Sequence, residues 1–223
     1  TSSDWFTASN WNLGGFIPVD TTVVTIPIGC DYYPIITENA ECGEIHIEDG
    51  ASLEISEPDT LYIYGDLSNY GDFVANGTVN FAGDSQQIVR GYVGLGDAIL
   101  NNEVLVDLAS EMSFAPGARI EFKTGFDFDY TDGVDCGFLQ VYGKLIAEGT
   151  ESDSITFTRD GESGKWGIIF FNDADETSRL KHCKIEHGYR IDNLVGSDDF
   201  SGALSFYQTD GVIVENCDIS NND

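Results

Sequence analysis

The sequence is poor in the residues that build helices and in those that bind nucleic acid. It carries one methionine, three histidines, and 10 lysine and arginine residues against 39 aspartate and glutamate in 223 residues, a formal net charge of −29. A surface of that sign repels phosphate, because neutralisation of phosphate by basic side chains dominates nucleic-acid affinity, and it repels anionic lipid for the same reason. Nucleic-acid binding is excluded as a function class. No stretch approaches the ~18 consecutive apolar residues of a spanning helix, so no membrane span is expected. Helical periodicity is almost absent. There is no Gly-x-Ser-x-Gly elbow, phosphate loop or dinucleotide fingerprint, which removes the commonest hydrolase and nucleotide chemistries. The opening "TSSDWFTASN" lacks a basic start and an apolar segment and reads as a mature or trimmed N-terminus. The closing "VIVENCDISNND" is expected to break off inside a longer pattern.

What remains is β composition. Hydrophobic residues make up 41% of the chain and aromatics 12%, enough for a folded core, with 25 glycines, 14 phenylalanines and 10 tyrosines. Short alternating runs, among them "TVVTIPI", "EIHIED", "LYIYGDL", "EVLVDL", "RIEFK", "SITFT" and "VIVENCDIS", are bounded by Gly, Asn, Asp or Pro. They read as half-buried strands joined by tight turns. A repeat decides the architecture. "GIIFFNDADETSRLKHCKIEHG" lies over "GALSFYQTDGVIVENCDISNN", with Gly167 on Gly202, Leu180 on Val214, Cys183 on Cys217 and Ile185 on Ile219. The offset is 35 residues at the start and 34 at the end, and the surplus is the Asp- and Gly-rich insertion "YRIDNLVGSDDFS". A unit of strands and turns of this length is one coil of a β-solenoid.

Five cysteines is an odd count, so at least one is unpaired within the chain. Cys30 and Cys42 flank "DYYPIITENAE" and are candidates for a disulfide. "HCKIEH" concentrates His182, Cys183 and His187, all good ligands for zinc or copper. Strand alternation, however, puts Cys183 on one face and His182 on the other. In the second copy both histidines are replaced by asparagine (Asn216 and Asn221) while cysteine persists as Cys217. Cys183 and Cys217 are therefore expected as adjacent steps of an inward ladder, buried as thiols, with a disulfide between them as the alternative.

The stretch "GKWGIIFFNDADETSRLKHCKIEHG…GALSFYQTDGVIVENCDISNN" resembles right-handed parallel β-helix proteins of the pectate-lyase-like superfamily. "DWFTASNWNLGGFIPVDTTVVTIPIG", followed by "ECGEIHIEDGASLEIS" and "LYIYGDLSNYGDF", is similar to the opening module of large secreted surface proteins of Bacteroidota. That module has paired tryptophans (here Trp5 and Trp11), a Gly-x-x-Pro turn (Gly15 to Pro18) and a GA-x-L-x-I strand (Gly50 to Ile55). The resemblance implies an all-β, right-handed parallel β-helix with an N-terminal cap. Residues 1–44 would form the cap, with Trp5 and Trp11 over the first coil or as a sugar-stacking platform, and 45–223 the coils. It also implies an extracellular or cell-surface setting and type IX secretion, with further coils or C-terminal domains in the parent protein. Three Asp-Ser/Thr segments, at Asp20, Asp59 and Asp153, resemble an O-glycosylation signal of the same phylum.

The superfamily holds lyases, hydrolases, adhesins and fibres, so the fold does not choose among functions. Lyases of this type need calcium-binding carboxylates with a basic residue on one strand face, and hydrolases need paired aspartates with a histidine. The nearest sets here are Arg159 with Asp160, and Glu186, His187, Arg190 and Asp192. Calcium is the one cofactor suggested. "DFDYTDGVD" places Asp127, Asp129, Asp132 and Asp135 in one Gly-containing loop, and calcium takes six to eight oxygens from such groups. "GSDDFSG" and "NDADE" are further acidic loops. The expectation is a non-catalytic β-helix segment acting as an adhesin or rigid stalk, whose partner would be an extracellular polysaccharide or cell-surface ligand. The alternative is a carbohydrate-active β-helix, and there Tyr62, Tyr64, Tyr92 and Tyr142 are the aromatics expected in a row.

Overall fold

The computed structural model describes residues 2–222. Short strands recur in threes along the chain, and each set of three makes one triangular coil. The first face holds Val24–Ile26, Ile45–Ile47, Leu67–Asn69, the first half of Gln87–Leu95, Glu103–Val106, Phe138–Val141, Ile169–Asn172 and Leu204–Tyr207. The second face runs from Ile35–Ile36 to Ile213–Glu215. The third runs from Ala40–Cys42 to Asp218–Ser220 and is a sheet of 8 strands, one per coil. Every pairing between coils is parallel. Gln87–Leu95 passes through a corner without a break and so joins the first two faces. It bends at Gly91, whose φ of +79° is a left-handed conformation that glycine takes without a Cβ penalty. The molecule is a parallel β-helix.

Alternation in each strand sends every second side chain inward, and the register stacks those side chains into ladders. On the first face one ladder climbs through Val24, Ile45, Leu67, Val89, Val106, Val141, Phe171 and Phe206. On the second it climbs through Ile36, Ile55, Ala75, Leu95, Phe114, Ala147, Leu180 and Val214. Rungs about 4.8 Å apart leave no room for water between inward side chains, and each buried Leu, Ile or Phe is worth about 1.5–3 kcal/mol. Buried polar residues satisfy the backbone at corners. Gln87 donates to the carbonyls of Ile63 and Gly65 and accepts from the amide of Gly83, and Asn69 donates to the carbonyl of Tyr92.

The N-terminal end is covered as the tryptophan pair suggests. Trp5 is fully buried, Trp11 meets it edge-on at 4.7 Å between ring centroids, and the Trp11 indole N–H donates to the Trp5 carbonyl at 2.7 Å. The covering segment is shorter than the expected 1–44. Residues from Val24 to Cys42 already form a complete coil, paired in register on all three faces with the coil that follows.

Both cysteine expectations are resolved by strand direction. Cys42 points into the core while Cys30 is exposed on the loop before it, so the Cys30–Cys42 bond is not formed. Cys183, buried, and Cys217, half-buried, take adjacent inward steps as free thiols, with the Cys183 amide 3.4 Å from the Cys217 sulfur. The histidines of "HCKIEH" occupy corners. His182 and His187 have φ of +48° and +68°, and their equivalents one coil later, Asn216 and Asn221, have +53° and +58°. Asp173 and Gln208, both at +48°, turn the remaining corner of the same two coils. One left-handed residue therefore opens each corner, directly after the strand. Asn, Asp and His are enriched in that conformation, which explains why histidine and asparagine exchange there.

Candidate functional site

The coils differ most at one corner. Between the third and first faces the early connections are short: residues 43–44, 64–66, 82–86 and 101–102. Later they swell to 123–137, 160–168 and 187–203, the last containing an antiparallel hairpin, Arg190–Val195 with Asp198–Ser201. Because the coils stack, the three insertions lie side by side and bond to one another. The Gly125 amide donates to the Lys165 carbonyl at 3.0 Å, the Tyr130 amide to the Asp192 carbonyl at 3.0 Å, and the Asp192 amide to the Phe128 carbonyl at 2.8 Å. They form a lateral lobe.

The lobe has its own core of Cys136, Phe138, Ile168, Phe170, Ile191 and Leu194, with Phe128, Phe200 and Tyr207 against it. This core lies on the outer side of the first face, so Phe138–Val141 is buried at every residue and Ile168 to Phe171 form a continuous apolar run. Glu103 is buried beneath the lobe. It accepts from the Gln86 side-chain amide at 2.7 Å and from the Tyr130 hydroxyl at 3.1 Å. Burial pushes its carboxyl above the usual range, and burial with the Glu103 charge pushes the Tyr130 phenol up to about 12.

A cleft of about 460 Å³ opens between the first insertion and the hairpin, lined by Phe126, Asp127, Asp129, Lys165, Tyr189 and Asp192 among others. Phe126 stands at its mouth, 96% exposed. Arg190 bonds Asp192 at 3.0 Å and lies 5.0 Å from the centre of the Tyr189 ring. The four aspartates expected to bind calcium meet here in part, as acceptors for the loop's own backbone. Asp135 accepts from the amides of Phe126 and Asp127, both at 2.8 Å, and Asp127 from the amide of Asp129 at 3.1 Å. Asp129 accepts from the Thr131 hydroxyl at 2.7 Å and from Asn193 at 3.0 Å, which holds its carboxyl below the usual range. Asp132 joins the network through its backbone, its amide bonded to the Asp129 carbonyl. Among the described residues no three His, Cys, Asp or Glu side chains converge as metal ligands.

The four tyrosines fall into two separate pairs rather than one row. Tyr62 and Tyr64 lie on the outer third face and the corner after it. Tyr92, 66% exposed, and Tyr142 share a groove of about 400 Å³ with Leu108, Lys144 and Asp175 at the corner between the first and second faces. The Tyr142 hydroxyl accepts from Asn172 at 3.0 Å. The residues weighed for catalysis are taken up in local contacts. Arg159 bonds the Gly164 carbonyl, whereas Glu186 pairs with Lys184 at 2.7 Å, chiefly for which reason its carboxyl is held below the usual range. His187 lies 4.0 Å from Glu186, and burial, followed by the Arg159 charge, lowers its pKa.

Comparison with family models, curated proteins and solved structures gives no match for this chain. Its chemistry is read from its own geometry. Sequence reasoning finds the acidic loop and the insertion separately and does not join them, although the run "GIIFF" carries the signal. A strand of a one-sided sheet alternates, and an unbroken apolar run announces a second layer on its outer side.

Proposed function

We propose that the chain is a rigid, non-catalytic display segment of a secreted or cell-surface protein, of the adhesin or stalk type that occurs among the β-helix and surface proteins it resembles. The observation that carries this is how the scarce basic side chains are used. Arg90 bonds Asp66 of the preceding coil at 2.8 Å and Asp107 of the following coil at 3.2 Å. Lys144 bonds Glu111 of the coil below at 2.9 Å, and Arg119, Lys184 and Arg190 each pair with a carboxylate two residues away on their own strand. Basic groups that neutralise neighbouring carboxylates stiffen a strongly acidic rod, and the ladders beneath give it one fixed length.

Eight stacked rungs, seven steps of about 4.8 Å, predict a shaft of roughly 34 Å. Small-angle scattering should give the same maximum dimension at low and high salt, and a dimension that changes with salt would contradict a rigid segment. Incubation with uronic-acid and neutral polysaccharides should release no new reducing ends or unsaturated products; their appearance would overturn the non-catalytic reading. The groove holding Tyr92 and Tyr142 favours a second reading, a polysaccharide-binding module, which Tyr92→Ala would test by loss of retention on immobilised polysaccharide.

A further inference from the structure

We propose that the cleft between the first insertion and the hairpin is a docking site for a lysine or arginine side chain of an extended polypeptide partner. This deepens the display reading, since it names what the shaft would present and the class of partner it would meet. Three features of the cleft point the same way.

The first is Phe126. A phenylalanine ring left 96% in water costs free energy unless something covers it, yet the backbone that carries this one is held by the loop's own bonding. Asp135 clamps the Phe126 and Asp127 amides, and the Gly125 amide is bonded across to Lys165. An exposed aromatic face at the mouth of a cleft suits an aliphatic stem bearing a cation, which gains both contact area and attraction to the ring.

The second is Asp192. Its backbone is bonded on both sides to the first insertion, so the side chain is fixed. One carboxylate oxygen takes the Arg190 guanidinium, and the other, Oδ1, is buried without a hydrogen-bond partner. Enclosed in the cleft wall, that oxygen has no donor of its own, so the carboxylate charge is only partly compensated and attracts a cation brought into the cleft.

The third is charge. Asp127, Asp129 and Asp192 line the cleft with Arg190 and Lys165, and Arg190 is already matched by Asp192. The cleft therefore keeps a negative excess within a protein of net charge −29, and the surrounding field draws cations toward it. The cleft size falls within the usual range for ligand sites, about 300–1,000 Å³. A bare divalent ion does not fit these facts, because the carboxylates do not converge and an ion has no use for the ring. A neutral sugar would use the ring but not the charge.

The test uses a fluorescent, N-acetylated hexapeptide of alternating lysine and glycine, titrated by anisotropy in about 0.15 M salt. Wild-type protein is expected to bind it saturably with one site. Phe126→Ala, which removes no charge, should weaken binding at least about tenfold, as should Asp192→Asn. Asp49→Asn, which removes one exposed charge far from the lobe, should leave it unchanged. Three results would each overturn the proposal: no saturable binding, Phe126→Ala binding like wild type, or equal binding of the peptide with acetylated lysines. The second of these would mean a diffuse attraction to the acidic surface. Competition by a neutral oligosaccharide such as maltohexaose would assign the cleft to sugar instead, and also overturns it. Scattering of the wild-type protein separates the two readings. A salt-dependent dimension with intact peptide binding would sink the rigid segment and leave the cleft, whereas a fixed dimension with no binding would do the reverse.

Discussion

The coils up to Leu100 and those from Glu103 onward share the same three faces and ladders, yet only the later ones carry a lobe. Among the earlier coils the corner between the third and first faces is short, and the outer side of each face meets water. Among the later coils that corner carries the largest growth, and the first face is buried on both sides at Phe138–Val141 and over 169–171. The ladders hold register through this change: Glu103 pairs Phe138 and Ile169 pairs Leu204, each 35 residues further on, without displacing the rungs inside. A solenoid thus separates what holds it together from what it can present. Inward positions are constrained by neighbours above and below, whereas a corner loop is constrained only at its two ends.

The largest effect that would sharpen this division is in the shared core. Phe157→Ala empties a position that is fully buried and packed edge-on against Phe114 at 5.7 Å. It should cost about 3–5 kcal/mol of global stability, measured by denaturant unfolding. Phe170→Ala acts on the other side of the same shaft, removing a ring packed against Phe200 at 4.5 Å in the lobe. Amide exchange over 126–136 and 190–201 should rise at least about tenfold while the early coils keep their protection. If both regions loosened together, lobe and shaft would be one cooperative unit and the comparison would fail.

The third prediction concerns pH. Glu103 sits under Tyr130 with its carboxyl raised by burial above the ordinary value of 4.5. The closed lobe therefore binds that proton more tightly than an opened one. The contribution is full below pH 4.5 and is lost as pH rises through the raised value. Glu103→Gln keeps an acceptor for Tyr130 and removes the buried charge. It should slow exchange in the lobe at about pH 7 and flatten its pH dependence, leaving the early coils unaffected. A variant whose lobe opens faster at that pH would show that the anion itself is needed.

Smaller effects belong to the surface. Arg90→Ala breaks a pairing to Asp66 and Asp107 that is about one-third exposed, so the loss should be under about 1 kcal/mol and shrink with salt. His182→Asn places at a left-handed corner the residue that the next coil uses there, and it should change stability by no more than about 0.5 kcal/mol. A large loss in a metal-free buffer would contradict the corner role.

Most of the fold was legible because a solenoid writes its architecture locally. "HCKIEHG" over "NCDISNN" gave the register to the residue, and the histidine-to-asparagine exchange marks the corners that their backbone angles define. The cap was legible in Trp5 and Trp11 but its extent was not, since the first coil's strands are only two or three residues long. The Cys30–Cys42 pairing failed because spacing does not say which way a side chain points. The lobe was hidden for a related reason. Asp129 and Asn193 are 64 residues apart in sequence, and only the stacking of the coils brings their side chains to 3.0 Å.

The parallel pairing of one coil with the next also sets how the molecule would bear a load. Its inter-coil hydrogen bonds run along the axis, so a pull between the two ends puts the coils in series, and each boundary carries the full tension. Such a chain of boundaries yields at its weakest one, then at the next, releasing length in steps. The boundaries spanned by Arg90 and those sheathed by the lobe carry extra cross-links. Those of the first coils, held by strands of two or three residues, would part earlier.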